Sequence, residues 1–299
     1  MCTNDDPDTN RTRERYASDI LALQERLTFR TLATLPEVTY RVERADGLTT
    51  LGLRTDQLTT RHLLGMQGFR LAQYLRLGWV CSDAIASRAM FCEPTQALRD
   101  DDLHLVTLDG QGRILGYLGL AGVDGSLLMA DPERAPFPVE VAHGVNLAEV
   151  VPALATTPSD QVRELKRFVH RRSMTDKLER LRVTVELLLA AGSVVLDMHE
   201  VRLLVGDVEE HVALRHLMIM GLETRLVEGT RPALEERHYL HHAYTERAAV
   251  RPFVADVPSA ENLGRQLRLL EELLESPDPV ASLRALVSDF GGNVERVAA

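Results

Sequence analysis

Residues 161–177, "QVRELKRFVHRRSMTDK", decide the fold of this chain. The first half has the apolar pattern of a largely buried strand, formed by Val162, Leu165, Phe168 and Val169. The segment "TDKLERLRVTVELLLAAG" overlaps its end and predicts a long helix, with Thr175 or Asp176 as N-cap. We therefore expect the chain to turn from strand to helix between His170 and Lys177.

This stretch is basic, although the chain is acidic. Residues 161–182 carry eight cations and three carboxylates, whereas the whole chain has a net charge of −10. The field of the whole molecule repels nucleic acid and anionic membrane surfaces, so we expect neither as a partner. An anionic partner would have to bind a local patch, and this stretch is the best candidate for one.

Length and composition favour one domain with extensions, since 299 residues at 45% hydrophobic content can form one large core. No apolar run is long enough to span a membrane, and the polar N-terminus does not resemble a signal peptide. The cysteines Cys2, Cys81 and Cys92 form no CxxC pair, which disfavours a disulfide framework and structural zinc. We expect a cytoplasmic protein.

The order of predicted elements follows from periodicity and from turn residues. Before the opening stretch it predicts a disordered tail over 1–15, a helix over 16–35, a hairpin over 38–55, a helix over 59–78 and a second hairpin over 103–125. After it, the predictions are a strand over 200–208, a helix over 209–222, strands over 224–229 and 237–245, and two helices within 251–299.

Across residues 60–250 this order resembles that of the GCN5-related N-acetyltransferase superfamily. In local detail "GFRLAQYLRLGW" (68–79) and "DDDLHLVTLDGQGRILGYLGL" (100–120) are similar to segments of acyl-homoserine-lactone autoinducer synthases and long-chain N-acyl amino acid synthases. "ELKRFV" resembles their Glu-x-x-Arg-Phe strand, with Glu164, Arg167 and Phe168 in the matching places.

The resemblance implies an α/β (α+β) fold of the acyl-CoA N-acyltransferase type, with a mixed, mostly antiparallel sheet flanked by helices. It divides the chain into a tail (1–15), an N-terminal extension (16–60), the N-acyltransferase-like domain (61–250) and a C-terminal helical extension packed on the core (251–299). Apolar stripes on the extensions make a homodimer possible.

One departure from the superfamily concerns the donor site. Members that use acetyl-CoA carry a glycine-rich turn after this strand, and its N–H groups hold the pyrophosphate. Here the turn is "HRRSMTDK", without glycine. The autoinducer-synthase branch also lacks that pattern and takes acyl groups from acyl carrier protein. The expected donor is therefore an acyl-CoA or acyl carrier protein thioester, used as a substrate and bound by Arg171, Arg172 and Lys177, with no tightly bound cofactor.

The resemblance also implies the substrate site. Glu164 would be the catalytic base that accepts the proton of the attacking amine, and Arg167, Phe168 and Trp79 would contact substrate. Plainer alternatives remain open. Glu164 and Arg167 could form a structural ion pair, Trp79 could pack in the core, and Arg171 and Arg172 could lie in a solvated basic turn.

Three histidines, His238, His241 and His242, raise the question of a metal site, because imidazole binds zinc and iron. On the predicted strand 237–245 the middle one points away from the other two, and no cysteine or spaced acid completes a ligand set. We therefore expect no metal.

The leading hypothesis is an N-acyltransferase that joins an acyl group to the amine of a small molecule by direct attack. The alternative is a non-catalytic acyl- or CoA-binding or assembly protein that keeps the fold. A third possibility is an unrelated reaction on an acyl chain, since fold does not determine function.

Overall fold

The structure is a computed structural model that describes residues 7–94, 98–209, 214–246, 250–290 and 292–299. The strands of this part are β1 (Tyr40–Glu43), β2 (Thr49–Arg54), β3 (Leu103–Leu108), β4 (Ile114–Ala121), β5 (Val162–His170), β6 (Leu203–Glu209), β7 (Glu223–Glu228), β8 (Val250–Asp256) and β9 (Val294–Ala298). They form one sheet in the order β1-β2-β3-β4-β5-β6-β8-β7-β9. The pairs β5–β6 and β7–β9 are parallel and the other pairs are antiparallel, which confirms the predicted mixed, mostly antiparallel sheet.

Helices cover both faces of the sheet. They are α1 (Pro7–Arg26), α2 (Arg30–Ala33), α3 (Thr60–Arg76), α4 (Ser82–Ser87), α5 (Pro138–His143), α6 (Leu147–Val150), α7 (Lys177–Asp197), α8 (Leu214–Ile219), α9 (His241–Glu246), α10 (Ala260–Glu275) and α11 (Pro279–Phe290). None of the helices in the described ranges is long and apolar enough to cross a membrane.

Buried side chains of the described residues form three apolar clusters, and alternating side chains of one strand belong to different clusters. On β3, Leu103 and Leu105 belong to the apolar cluster that contains α7, whereas Val106 and Leu108 belong to the cluster that contains α3. This is the two-residue period of a strand that is buried on both faces. The helix α7 lies close to the sheet because Gly116 of β4 has no side chain where Val183 and Leu187 approach.

The predicted turn from strand to helix is confirmed. The strand β5 ends at His170, and α7 begins at Lys177 after Asp176, whose side chain accepts the N–H of Leu178 as an N-cap. Both predicted hairpins are also present, as β1–β2 and β3–β4. The long apolar helix, its cap and the two turns are local signals, so the sequence alone was sufficient to predict them.

Two predictions at the N-terminal end are wrong. The disordered tail was predicted to extend to residue 15, but α1 begins at Pro7. The single helix predicted over 16–35 is interrupted, because α1 ends at Arg26 and α2 begins at Arg30. The interruption lets the backbone N–H of Phe29 donate to the carbonyl of Gly112, 2.6 Å away in the β3–β4 turn. That tertiary contact has no sequence signal.

The strand predicted over residues 237–245 is also wrong. The segment forms a turn followed by α9. Ala243 is buried, and Leu240, Ala243 and Tyr244 line one cavity. Their three- and four-residue spacing is that of a helix. On the side away from β5, β6 pairs with β8, which follows this segment in sequence, and β9 adds a further strand within the predicted helical extension. Because one sheet runs through residues 40–298, the division into extensions and domain stays a prediction.

Candidate functional site

The strands β5 and β6 diverge in the middle of the sheet. They pair only from Val162 to Glu164, opposite Leu203 to Val205, although each continues to pair with its other neighbour along the rest of its length. At the point of divergence, Gly206 permits a close approach, since a β-carbon there would collide with the carbonyl oxygen of Leu165. Beyond that point the facing edges of β5 and β6 do not pair with each other, and a gap opens between them.

A β-bulge turns β5 toward this gap. The register between β4 and β5 shifts between Tyr117 and Gly119, so Arg167 and Phe168 lie opposite the single residue Leu118. Arg167 has φ +63, a left-handed conformation that is uncommon without glycine. Neighbours on a regular strand point to opposite faces, but here Arg167 and Phe168 contact the same two cavities.

The first cavity is narrow, at about 50 Å³, and its walls are almost entirely apolar. Helix α7 contributes Leu188, Ala191, Gly192 and Val195 to its walls. Helices α8 and α10 close it from the outside, through Leu217 and Leu263 among others. A slot of this kind has the chemistry of a site for a hydrocarbon chain.

The second cavity is wider, at about 450 Å³, and has a mixed lining of aromatic and charged residues. Its lining residues include Tyr74, Trp79, His170, Arg172, Arg180, Glu209 and Tyr244. Four residues line both cavities: Arg167, Phe168, Asp207 and His216. The two cavities therefore adjoin in the gap between β5 and β6.

Glu164 lies at the point where the gap begins. It is buried, and its Oε2 accepts the backbone N–H of Val139 at 3.3 Å. Burial raises its pKa to about 7, and the charge of Asp207 adds to this effect, while Lys166 opposes it. Glu164 is not among the residues that line either cavity. It is therefore a carboxyl poised to titrate near neutral pH just behind the cavity wall.

Arg167 faces a different carboxylate. Its Nε lies 3.8 Å from Oε1 of the buried Glu93, which also accepts a hydrogen bond from the Tyr239 hydroxyl at 2.6 Å. Arg70 forms an ion pair with the same carboxylate. Two guanidinium groups thus share one buried carboxylate beneath the wide cavity. The ion pair considered between Arg167 and Glu164 is not among the salt bridges of the described residues.

Asp207 of β6 was not among the site residues predicted from the sequence. It accepts a hydrogen bond from the Tyr244 hydroxyl, and its Oδ2 lies 3.5 Å from Nε2 of the buried His143. Burial would raise its pKa, but hydrogen bonds from His143 and Tyr244 and the charge of Arg167 outweigh it, so the pKa is lowered. A signal existed in "LLVGDV", where one acid interrupts an apolar strand.

The proposed donor-binding residues divide into two groups. Arg171 was expected to bind the donor, but its guanidinium is held by partners within the chain. It is buried, its Nε donates to the carbonyl of Ile114 at 2.7 Å, and its Nη1 donates to Glu25 at 2.6 Å. Arg172 and Lys177 are exposed, and Arg172 lines the wide cavity. Arg180 of α7, which the sequence analysis did not single out, lines it too.

Both aromatic residues that were predicted to contact substrate, Trp79 and Phe168, line the wide cavity. Trp79 stacks on Tyr74 with 5.3 Å between ring centroids and forms part of the wide cavity. Phe168 packs edge-on against His216 at 4.6 Å, between the two cavities. Burial lowers the pKa of His216 to about 4 and that of His170 to about 3, so both imidazoles are neutral at pH 7.

The three histidines are not brought together as one set of side chains. His241 is bonded through Nδ1 to the carbonyl of Leu234 at 2.9 Å, and His238 lies in the turn before α9. Over the ranges that the structure covers, no three His, Cys, Asp or Glu side chains are grouped to hold a metal ion.

Comparison with protein-family profiles and with curated proteins finds no match. Solved structures of similar shape include TofI in a ternary complex with an inhibitor and MTA (18% identity, TM-score 0.47, covering 79% of this chain and 98% of that one). They also include BjaI, a CoA-dependent acyl-homoserine lactone synthase, with MTA (17%, 0.39, 76% and 94%). FeeM, an N-acyl amino acid synthase from uncultured soil microbes, is a third (12%, 0.41, 75% and 97%). BjaI and FeeM belong to the two groups of synthases that the sequence resembles.

Proposed function

We propose that this protein is an N-acyltransferase, which moves an acyl group from a thioester donor to the amine of a small molecule by direct attack. The observation that carries the proposal is the gap between β5 and β6, which opens on a narrow apolar cavity and a wider polar one at the same place. A long-chain thioester needs such a pair of environments, one for its hydrocarbon tail and one for its polar end.

In this proposal the acyl chain lies in the narrow cavity, and the thioester carbonyl lies in the gap. The edge of β5 beyond Glu164 has no ladder partner on β6, so its N–H groups are available to polarise that carbonyl. The donor's thiol arm would leave through the wide cavity past Phe168 and Trp79. This keeps Phe168 and Trp79 as proposed contacts of substrate.

Glu164 is the proposed proton acceptor. A general base works best when its pKa is close to the working pH, and the pKa of Glu164 is raised to about 7. Because Glu164 lies behind the cavity wall, the proton reaches it through a water molecule. After the protonated acceptor, R–NH₃⁺, has lost one proton to Glu164 in this way, the amine nitrogen forms a bond to the carbonyl carbon, the C–S bond breaks, and the thiolate takes one of the two remaining nitrogen-bound protons.

The donor's phosphate is proposed to bind Arg172 and Arg180 in the wide cavity, with the exposed Lys177 at the start of α7. Arg171 leaves this set because its guanidinium is bonded to Glu25 and Ile114. Whether the donor is acyl-CoA or acyl carrier protein is open, and cations on an exposed rim suit either one. Cytoplasmic location and a homodimer also stay predictions.

The test is product formation. Purified protein is incubated with acyl-CoA and acyl carrier protein thioesters of graded chain length and with a panel of small amines, while released thiol and amide mass are followed. We expect amine-dependent thiol release and a matching amide, and Glu164→Gln should abolish most of both. Glu186→Gln is the matched control, since Glu186 is also buried but pairs with Arg44 away from both cavities.

Two outcomes would reject the proposal. If no amide forms with any pair, while acyl thioesters still raise the melting temperature, the non-catalytic binding protein becomes the better description. If Glu164→Gln retains the activity of the wild type, as Glu186→Gln should, Glu164 is not the base and the proposed mechanism is wrong.

A further inference from the structure

We propose that Asp207 binds the ammonium group of the acceptor, so that the site selects alkylamines that arrive protonated. This inference rests on the acyltransferase function proposed above. Asp207 is the one carboxylate of the described residues that lines both cavities, and it therefore lies where tail, thioester and acceptor must meet.

Its position follows from the register of the two strands. Glu164 pairs with Val205, and Asp207 is two residues farther along β6, so both carboxyl groups project from the same face of the sheet. Helix α5 covers that face, and its end brings His143 to Asp207. The two acids are thus successive polar groups along one wall, with Asp207 on the cavity side.

The carboxylate of Asp207 is held at one oxygen only. The hydroxyl of Tyr244 and Nε2 of His143 both contact Oδ2. Oδ1 has no hydrogen bond within the described part of the chain, and the side chain is 23% exposed. A carboxylate that is fixed through one oxygen, on a partly exposed side chain of a residue that lines both cavities, is an acceptor for an N–H donor, and an ammonium group forms the stronger, charge-assisted bond.

The surrounding charges assign different roles to the two acids. Asp207 is faced by His143, Tyr244 and Arg167, and its pKa is lowered, so it stays ionised. Glu164 is faced by Lys166 as well as by Asp207, and its pKa is raised to about 7. The positive charge of Arg167 is offset by Glu93 on its other side. Acids whose pKa values are pushed apart divide the work of binding and proton transfer.

The reaction then balances as follows. The ammonium group R–NH₃⁺ binds Oδ1 of Asp207 and passes one proton to the carboxylate of Glu164. The resulting amine attacks the thioester carbon, the C–S bond breaks, and the departing thiolate takes one of the two remaining protons. The products are a secondary amide, a thiol and protonated Glu164, which returns its proton to solvent.

The test measures binding, so that it does not depend on turnover. Calorimetric titration at pH 7 compares hexylammonium with 1-hexanol, which has the same chain and no charge. We expect wild type to bind hexylammonium about tenfold more tightly, which is the effect of one charge-assisted hydrogen bond. Asp207→Asn should reduce this ratio to about one. Asp256→Asn is the matched control, because Asp256 is an ion-paired acid on β8 that lines neither cavity, and it should keep the ratio.

A second variant covers the case in which Asp207→Asn does not fold. Tyr244→Phe removes only the hydroxyl that stabilises the carboxylate, so the pKa of Asp207 should rise, and the loss of hexylammonium binding at low pH should begin at a higher pH than in wild type. The inference is overturned if wild type shows no preference for hexylammonium, if Asp207→Asn keeps it, or if Tyr244→Phe has the wild-type pH profile. Failure of these tests with amide formation intact rejects Asp207 alone, whereas absence of amide formation rejects the proposed function.

Discussion

The two adjoining cavities are built from different parts of the fold. The narrow one is enclosed mainly by residues within packed strands and helices, chiefly β5, α7 and β6. The wide one is formed by the ends and turns of elements: the end of α3, the turn after β5, and α9. Residues in the middle of packed elements serve stability as well as binding, whereas residues at the ends are freer to serve binding alone. Substitutions in the two cavities should therefore have different consequences.

The largest effect is expected where the cavities meet. Glu164→Gln removes the proposed base without changing the shape of the side chain, and a general base contributes about 100-fold or more to a rate. For wild type, the rate should fall as pH decreases through about 7, because the carboxylate is then protonated. Rates measured from pH 5 to 9 with the best donor and amine check this. A variant with the wild-type rate and pH profile would remove Glu164 from the mechanism.

Glu164→Gln should lower the reaction rate, but it should raise the stability relative to wild type as pH increases. The pKa of Glu164 is about 7 in the folded protein and close to 4.5 when unfolded, so the folded state holds the proton more tightly between these values. The free energy of unfolding therefore decreases as pH rises through this window, by roughly 3 kcal/mol. Glu164→Gln lacks this loss, so its stability relative to wild type should increase from pH 4.5 to 8. Urea denaturation at both pH values measures it, and a difference independent of pH would contradict it.

A substitution in the narrow cavity should change chain-length preference. Ala191→Leu adds three carbon atoms to the wall that α7 provides, displacing about two methylene groups of a bound chain, each worth about 0.8 kcal/mol. We expect a loss of about tenfold in kcat/KM for the longest accepted acyl donor and little change for the shortest. Leu178→Ala, on the exposed start of α7, is the control. A uniform loss at all lengths would indicate that the chain lies elsewhere.

The smallest effects should separate two adjacent arginines, Arg171 and Arg172, of which only Arg172 lines the wide cavity. Arg172→Glu changes an exposed residue, so it should weaken binding of a phosphate-bearing donor several-fold, more at low salt, and shift the melting temperature little. Arg171→Met leaves the Ile114 carbonyl without its donor and should cost about 1–3 kcal/mol of stability. Calorimetric titration and thermal melts of both variants decide this. If Arg172→Glu and wild type bind the donor equally well, the turn between β5 and α7 is better described as a solvated basic loop.

Much of the fold could be predicted from the sequence because its signals are local. The hairpins, the strand β5 and the capped helix α7 depend on turn residues and periodicity within a few positions. The end of the sheet could not be predicted in the same way, since β9 pairs with β7, which is distant in sequence, and Phe29 leaves its helix for a contact with Gly112. Segment 237–245 was predicted wrongly as a strand because of its aromatic and histidine content. Its contacts with the cavity have the spacing of a helix.

The site was predictable in outline and not in its partners. Glu164, Arg167 and Phe168 were identified by a motif on one strand, and all three lie at the gap. Asp207 was missed because its significance depends on which strand lies beside β5 and where the two diverge. The misjudgement of Arg171 has the same origin, since its partner Glu25 comes from a helix 146 positions away in sequence.

The absence of a side chain at residue 206 has a practical consequence for anyone who wishes to redesign the acceptor or chain-length preference. Any other residue there would push against the Leu165 carbonyl and alter the angle at which β5 and β6 separate. Every contact in both cavities depends on that angle, so one substitution would change all of them together. A combinatorial library aimed at new products should therefore vary the walls and keep codon 206 fixed as glycine, because variants there would be lost whatever else they carry.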